Sequence, residues 1–356
     1  MVFHFFNPDH DIALVLNQSR FSTPHVGRQM RCDLGYIPAL WAEDGDVVVV
    51  EDIDAAELLY KRHRLTSRPR VEFVTTEQLK NTVSGDDYRI APWGWNKSIR
   101  RMFLDAGIAK DLLPSEETLD TIRQLSNRAL AVELLKQLQN IEGTIGTSHV
   151  CADTNAIQDL LRQYGDIVVK APWSSSGRGI RYINAGDTTN ENAQKWIDNI
   201  LMRQGTVIIE KKCHKVFDFA MEYSSCPDGE VRYEGLSLFT TRNGAYTGNA
   251  LLSEDEKEEY LAQYLSPALL QKVRQKTELF LSENIKGTYI GPLGVDMMVC
   301  SDPAAPFGQN IRLNPCIEIN MRRTMGHVAL ALSKKGQRGT MSIDYDGKNY
   351  RFHIRK

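Results

Sequence analysis

The stretch Gly291–Gly326, GPLGVDMMVC…IRLNPCIEINMRRTMG, constrains this chain more than any other. It reads as two β-strands, LGVDMMV and IRLNPCIEIN, joined by a polar, proline-containing turn, SDPAAPFGQN. Strand side chains alternate faces, so Glu318 and Asn320 project from one side of the second strand. Asp296 sits inside the first strand, where a carboxylate is ordinarily a liability. Two acids and an amide among Val, Ile, Leu and Met predict a hard-cation site, because Mg²⁺ prefers oxygen ligands and takes few of them from protein. Arg322 and Arg323 follow at once, and guanidinium forks suit phosphate or carboxylate oxygens. The alternative is an edge hairpin whose acids pair with those arginines.

A chain of 356 residues is long for one core, which predicts two or three subdomains. Formal charge is −2 with no block of like charges, so non-specific nucleic-acid binding has no electrostatic support. The six cysteines (Cys32, Cys151, Cys213, Cys226, Cys300, Cys316) show no CxxC spacing, which argues against a zinc ribbon or disulfide framework and suits a reducing cytosol. The start, MVFHFFNPDHDIALVL, lacks a basic n-region and is broken by Asp9, His10 and Asp11, unlike a signal peptide. No segment approaches the roughly 18–20 uninterrupted apolar residues that span a bilayer. The expectation is a soluble cytoplasmic protein with no nucleic-acid or membrane partner. Nothing in the sequence sets an oligomeric state.

Residues 1–113 alternate short apolar runs (Val2–Phe6, Asp46–Val50, Val71–Thr75, Tyr88–Ala91) with helical segments such as Asp54–His63 and Thr76–Thr82. That alternation predicts a parallel sheet with helices on its faces and ligands beyond the strands' carboxyl ends. Two strand ends carry candidate substrate loops, Asn7–Asp11 and Pro92–Asn96; a turn with a helix cap, and packing tryptophans, are the competing readings. No GxGxxG follows the first strand, so a dinucleotide site has little support. Ser115 opens a helix, and Ser126-Asn127-Arg128 is read as capping another whose Leu130, Leu134 and Leu138 share a face.

Next come two strands, IVVKA and IRYI, around a loop at Pro172–Gly179 with three serines, two glycines and an arginine. Such a loop offers hydroxyls and backbone N–H groups that wrap an anion, and Gly177 and Gly179 permit positive φ and close approach. Lys170 can reach the same anion; a surface hairpin with a solvated lysine is the bland alternative. The lysine precedes the glycines, so this is no Walker A loop. Downstream, Phe217, Phe219 and Met221 alternate with Asp218, Ala220 and Glu222; those acids bind a sugar hydroxyl or face water. Asn243-Gly244 and Asp346-Gly347 mark hairpin turns, Glu254–Glu259 an exposed loop or helix face, and Ser266-Pro267 a helix start.

These pieces stand in a known order. Over roughly Ser126–Val328 the sequence resembles the ATP-grasp superfamily, through SNRALAVELL, VVKAPWSSSGRGI, VIIEKK, GVDMMV and EINMRR. The resemblance implies an α/β and α+β fold: two α+β subdomains gripping ATP, preceded by a Rossmann-like parallel-sheet domain. The implied division is 1–113 for that first domain, 114–145 for linking helices, 146–211 for the lid subdomain, 212–335 for the metal-binding subdomain and 336–356 for a terminal hairpin. It further implies that Arg128, Lys170 and the loop Ser174, Ser175, Ser176, Gly177, Arg178 and Gly179 hold the phosphates. Glu210, Lys211, Lys212 and Cys213 would receive adenine and Asp218 the ribose. Asp296, Glu318 and Asn320 would coordinate Mg²⁺ (two ions, with Mn²⁺ a substitute), and Lys170, Arg128 and Arg322 would act in catalysis. Two departures stand out: Arg128 replaces the family's usual lysine, and Ala171 its usual proline.

The activity so implied is an ADP-forming ligase that activates a small-molecule or peptide carboxylate as an acyl-phosphate for attack by an amine or thiol. The alternative on the same fold is a small-molecule kinase. Arg242, Arg323 and His327 are candidates to face an acceptor carboxylate, with a surface ion pair or a cap as the competing reading for each.

Overall fold

The computed structural model describes residues 1–82, 88–174, 179–186, 191–242, 245–303 and 310–356. The first sheet contains β1 (Val2–Phe5), β2 (Val47–Val49), β3 (Glu72–Val74) and β4 (Arg89–Pro92), all parallel, in the order β3-β2-β1-β4. Helices α1 (His10–Leu16), α2 (His25–Leu34), α3 (Ile53–Arg62), α4 (Leu79–Thr82) and α5 (Lys97–Asp105) surround it. The chain moves outward from β1 to β3 and then returns to the other side of β1 at β4. This reversal opens a crevice at the carboxyl ends of β1 and β4, the usual ligand position in such sheets. The two candidate substrate loops lie there.

Two helices, α6 (Glu116–Leu125) and α7 (Ala129–Leu138), lead into a four-stranded antiparallel sheet, β5-β8-β6-β7. Its strands are β5 (Ser148–Cys151), β6 (Ile167–Lys170), β7 (Ile180–Ile183) and β8 (Val207–Lys211). Alternation gives it two faces. Ile167, Val169, Val207 and Ile209 pack against α8 (Thr154–Tyr164) and α9 (Glu191–Gln204), while Lys170 and Glu210 project from the other face.

The largest sheet has seven antiparallel strands, ordered β13-β12-β9-β10-β11-β14-β15. These are β9 (His214–Ser225), β10 (Val231–Arg242), β11 (Ala245–Leu251), β12 (Gly291–Ser301), β13 (Ile311–Asn320), β14 (Gly339–Tyr345) and β15 (Tyr350–Arg355). The terminal hairpin therefore extends this sheet through β11. One face, carrying Phe219, Met221, Tyr223, Val295, Met297 and Val299, buries against α7 and α11 (Pro267–Ile285). The short α10 (Glu254–Ala262) begins in a Ser253 capping box, so Glu254–Glu259 is ordered helix and its Lys257 is buried. Helix α12 (Met325–Lys334) covers part of the opposite face, at β10 and β11. Val328, Ala329 and Leu332 of α12 share one core with Phe6, Leu34, Ile37, Val48 and Trp93 of the first domain. No helix among the described residues is long and apolar enough to cross a membrane.

Candidate active site

The uncovered part of the large sheet's second face carries the acids. Asp296 of β12 pairs in register with Glu318 of β13, and Gly294 with Asn320, so the Asp296, Glu318 and Asn320 side chains share that face. The register breaks just beyond, between Asp296 and Met298, where Pro315 lies in β13. Proline cannot donate to a ladder and is confined to such irregularities inside a sheet. The break leaves the Ile317 carbonyl available, and the Lys170 ammonium donates to it at 3.1 Å.

Lys170 is 4% exposed and also donates to Glu210 Oε1 at 2.7 Å. Arg128, 5% exposed, spans three elements: its guanidinium donates to the Ala171 carbonyl at 2.6 Å, Ser174 Oγ at 2.7 Å and Glu318 Oε1 at 2.7 Å. Arg322 makes a two-pronged bond to Asp11, 2.9 Å to each oxygen. Burial alone would raise the Asp11 pKa, but the Arg322 guanidinium more than reverses this and holds it below the usual range. A small pocket, about 20 Å³, is lined by Asp11, Arg128, Ser174, Glu318 and Arg322 together with His10 and Trp173, and not by Lys170. A larger cavity of about 700 Å³ lies elsewhere, between α3 and the terminal hairpin, and contains none of them.

Burial, then the charge of Glu318, pushes the Asp296 carboxyl up to about 7. Asn320 Nδ2 donates to Asp296 Oδ2 at 3.2 Å. Two carboxylates in register, one of them with its proton affinity raised by burial and by the other's charge, and an amide beside them fit a divalent cation. Among the described residues no group of three or more His, Cys, Asp or Glu side chains is gathered to hold a metal. Two carboxylates and an amide suit Mg²⁺, which keeps water and phosphate in its remaining positions.

At the crevice, the Asn7 side chain donates to the Gly94 carbonyl at 2.9 Å, and Asn96 Nδ2 lies 3.2 Å from His10 Nδ1. A Cβ at Gly94 would stand 2.6 Å from the His10 ring, so only glycine fits there. The Arg323 N–H donates to the Trp93 carbonyl at 2.9 Å, fastening the end of β13 to the first domain. The Arg323 guanidinium stacks over Trp41, 4.6 Å from the ring centroid, and burial lowers its pKa to about 10.

Several sequence expectations change in detail. Ser175, Ser176, Gly177 and Arg178 lie outside the described residues, as does the Asn243-Gly244 turn. At Gly179 a Cβ would collide with the Ser174 side chain. Ser126 closes α6 instead of capping α7, and the Asn127 side chain accepts from Ala129. The Lys212 N–H donates to the Asp166 carbonyl at 3.0 Å and so is not open to another acceptor. Asp218 accepts from Lys215 Nζ and Thr241 Oγ1, both at 2.7 Å. Arg242 is exposed at the end of β10.

His327 is a buried cap residue and faces no cleft. Its Nδ1 accepts the Thr324 N–H at 3.2 Å, and its Nε2 donates to the Tyr223 carbonyl at 3.1 Å. Glu222 Oε2 lies 3.1 Å from that same Nδ1, and Thr324 Oγ1 donates to Glu222 Oε1 at 2.8 Å. An Nδ1 already accepting a hydrogen bond tolerates Oε2 only if Oε2 bears the proton. Burial pushes the Glu222 pKa up to about 8, in agreement, and lowers that of His327 to about 3. Glu222 is 1% exposed, so it does not face water as an alternating strand acid would.

A parallel-sheet first domain and two further sheets facing across a cleft constitute the ATP-grasp fold, and this chain has it. No family model and no curated protein matches the sequence. Among solved structures, the chain is similar to N5-carboxyaminoimidazole synthetase from Staphylococcus aureus complexed with ADP. The TM-score is 0.50 at 12% identity, covering 96% of this chain and 82% of that one. It is also similar to a biotin carboxylase complex from Campylobacter jejuni, with TM-score 0.50 and 14% identity, covering 94% of this chain and 69% of the other.

Proposed function

We propose that this protein is an ATP- and Mg²⁺-dependent, ADP-forming ligase that activates a small-molecule carboxylate as an acyl-phosphate for capture by an amine. The observation that carries the reading is the convergence of Asp296, Glu318 and Asn320 on one sheet face, within reach of Arg128 and beside Lys170 and Arg322. The fold shared with the two enzymes above supports it.

In this reading Lys170 and Arg128 hold the nucleotide's phosphates, and the 210–213 hinge takes the base. Each cation is already hydrogen-bonded to protein, so its position is set before a nucleotide arrives and little reorganisation opposes transfer. Bound at Asp296, Glu318 and Asn320, Mg²⁺ would neutralise phosphate oxygens. Arg322, above its ordinary pKa because Asp11 outweighs the effect of burial, remains a cation throughout and orients the acceptor. The crevice between β1 and β4 supplies the acceptor's pocket.

The test is a screen of amino acids, dipeptides and small acids for paired release of ADP and phosphate. Asp296→Asn and Glu318→Gln should each abolish acceptor-dependent ADP formation while the protein stays folded by circular dichroism. Retained turnover in both would remove the metal assignment. Phosphate appearing on the acceptor, with none free, would make the enzyme a kinase.

A further inference from the structure

The larger cavity, about 700 Å³, shares no lining residue with the small pocket in the cleft. Its size is ordinary for a small-molecule site. Its walls are the carboxyl end of α3, the segment 64–66, the residues just after α12, and β15. One wall is aromatic. The His63 ring stacks on Tyr36 with centroids 5.5 Å apart, and Phe352 meets His63 edge-on at 5.4 Å. Another wall holds Gln337, which is 6% exposed. Its Oε1 accepts both the N–H and the hydroxyl of Thr66, each at 3.1 Å, and that fixes which end of the amide is which. Gln337 Nε2 therefore brings two N–H donors to the cavity, and among the described residues neither has a partner. An unmade bond on so buried a donor is costly, so the position calls for an acceptor.

His63 adds a third donor. Tyr36 is buried, which raises its pKa, so its hydroxyl keeps its proton and donates to His63 Nε2 at 2.6 Å. Burial lowers the His63 pKa to about 4, leaving a neutral ring with its own proton on Nδ1. Charge comes from Arg62 and Arg64, neither of which has an ion-pair partner among the described residues. Arg351 and His353 also line the cavity but are taken up by Asp346 and Asp344. Asp33, the acid among the described lining side chains, is engaged by the Tyr350 N–H at 2.7 Å and the Gln29 amide at 2.9 Å.

We propose that this cavity is a second small-molecule site, separate from the cleft, which binds a phosphate monoester carried on an aromatic ring. Above pH 7 such a monoester is chiefly a dianion, matching the two unpaired guanidiniums, whose forks suit its oxygens. The Gln337 amide and the His63 Nδ1–H supply neutral donors to the same group. The ring packs against Tyr36, His63 and Phe352, where offset or edge-on contact is favourable. The site stands whether or not the cleft binds ATP.

The experiment titrates the full-length protein with phenyl phosphate at pH 8 by calorimetry, beside inorganic phosphate and benzoate. Expected is saturable binding of phenyl phosphate, with inorganic phosphate and benzoate each at least tenfold weaker. The Arg62→Ala/Arg64→Ala double variant should lose at least tenfold in affinity for phenyl phosphate with little change in thermal midpoint, since both side chains are exposed and unpaired. Gln337→Glu keeps an acceptor for Thr66 but puts a carboxylate where the donors were, so it should abolish binding. Should that variant fail to fold, the arginine pair decides. No saturable binding overturns the proposal, as does binding that survives the arginine substitutions, which would put the probe elsewhere. Inorganic phosphate or benzoate binding as tightly as phenyl phosphate overturns the ligand class.

Discussion

Replacing Glu222 by Gln tests the buried network under α12. The geometry puts a proton on Glu222 Oε2, facing a His327 Nδ1 that already accepts a hydrogen bond. An acid whose folded pKa, about 8, lies above its ordinary 4.5 binds protons more tightly when folded. Stability is then greatest below the unfolded value and falls as pH rises toward the folded one. The slope is about 1.4 kcal/mol per pH unit, and the whole penalty about 5 kcal/mol once pH exceeds 8. Glutamine keeps the shape, donates to Nδ1 and accepts from Thr324, yet never ionises. In urea unfolding at pH 5, 6, 7 and 8, the variant should gain on the wild type by about 1.4 kcal/mol per unit. Groups common to both proteins cancel in that difference. An infrared band of a protonated carboxyl should be present at pH 7 in the wild type and missing from the variant. A pH-independent difference would mean that Glu222 is ionised beside a neutral His327, and the reasoning would be refuted.

Lys170→Met should abolish ADP binding by calorimetry and cost about 3–5 kcal/mol in urea, because it strands the Glu210 charge. Adding Glu210→Gln should recover most of the stability and none of the binding. Asp11→Asn should cost about 2 kcal/mol at pH 7 by removing a two-pronged charged contact. Because Asp11 has a depressed pKa, the wild type's advantage is present above pH 3.8 and is lost as pH falls through the lower folded value. Gly326→Ala should destabilise by about 1–3 kcal/mol, read as a lowered thermal midpoint, since the new Cβ meets Glu222 Oε1 and Ser237 Oγ.

The acids of β12 and β13 were legible because strand periodicity alone fixes which side chains share a face, and the observed register pairs Asp296 with Glu318. Lys170 was legible at its strand end, while residues 175–178 of the following loop lie outside the described residues. The Asp11–Arg322 pair was not, since 311 positions separate its members and no local pattern links them. Glu222 was misjudged because alternation in β9 shows which face it occupies but not that α12 lies over that face. The cap that seats α12 was disguised too: His327 occupies the position where glutamate or glutamine is usual. Gly179 illustrates a different limit, for a sequence does not show the Ser174 side chain that a Cβ there would strike.

The core that α12 shares with the first domain has a mechanical corollary. Apolar packing there, the Arg323–Trp93 bond and the Asp11–Arg322 clasp together weld the seven-stranded sheet to the parallel sheet, making one immobile jaw. The small β5-β8-β6-β7 sheet has its own core, and across the cleft Lys170 reaches Ile317 and Arg128 bridges to Glu318. Polar ties exchange partners far more cheaply than packed cores separate. In the proposed reading, opening and shutting falls to the small sheet, and the acceptor's half of the vice stays put.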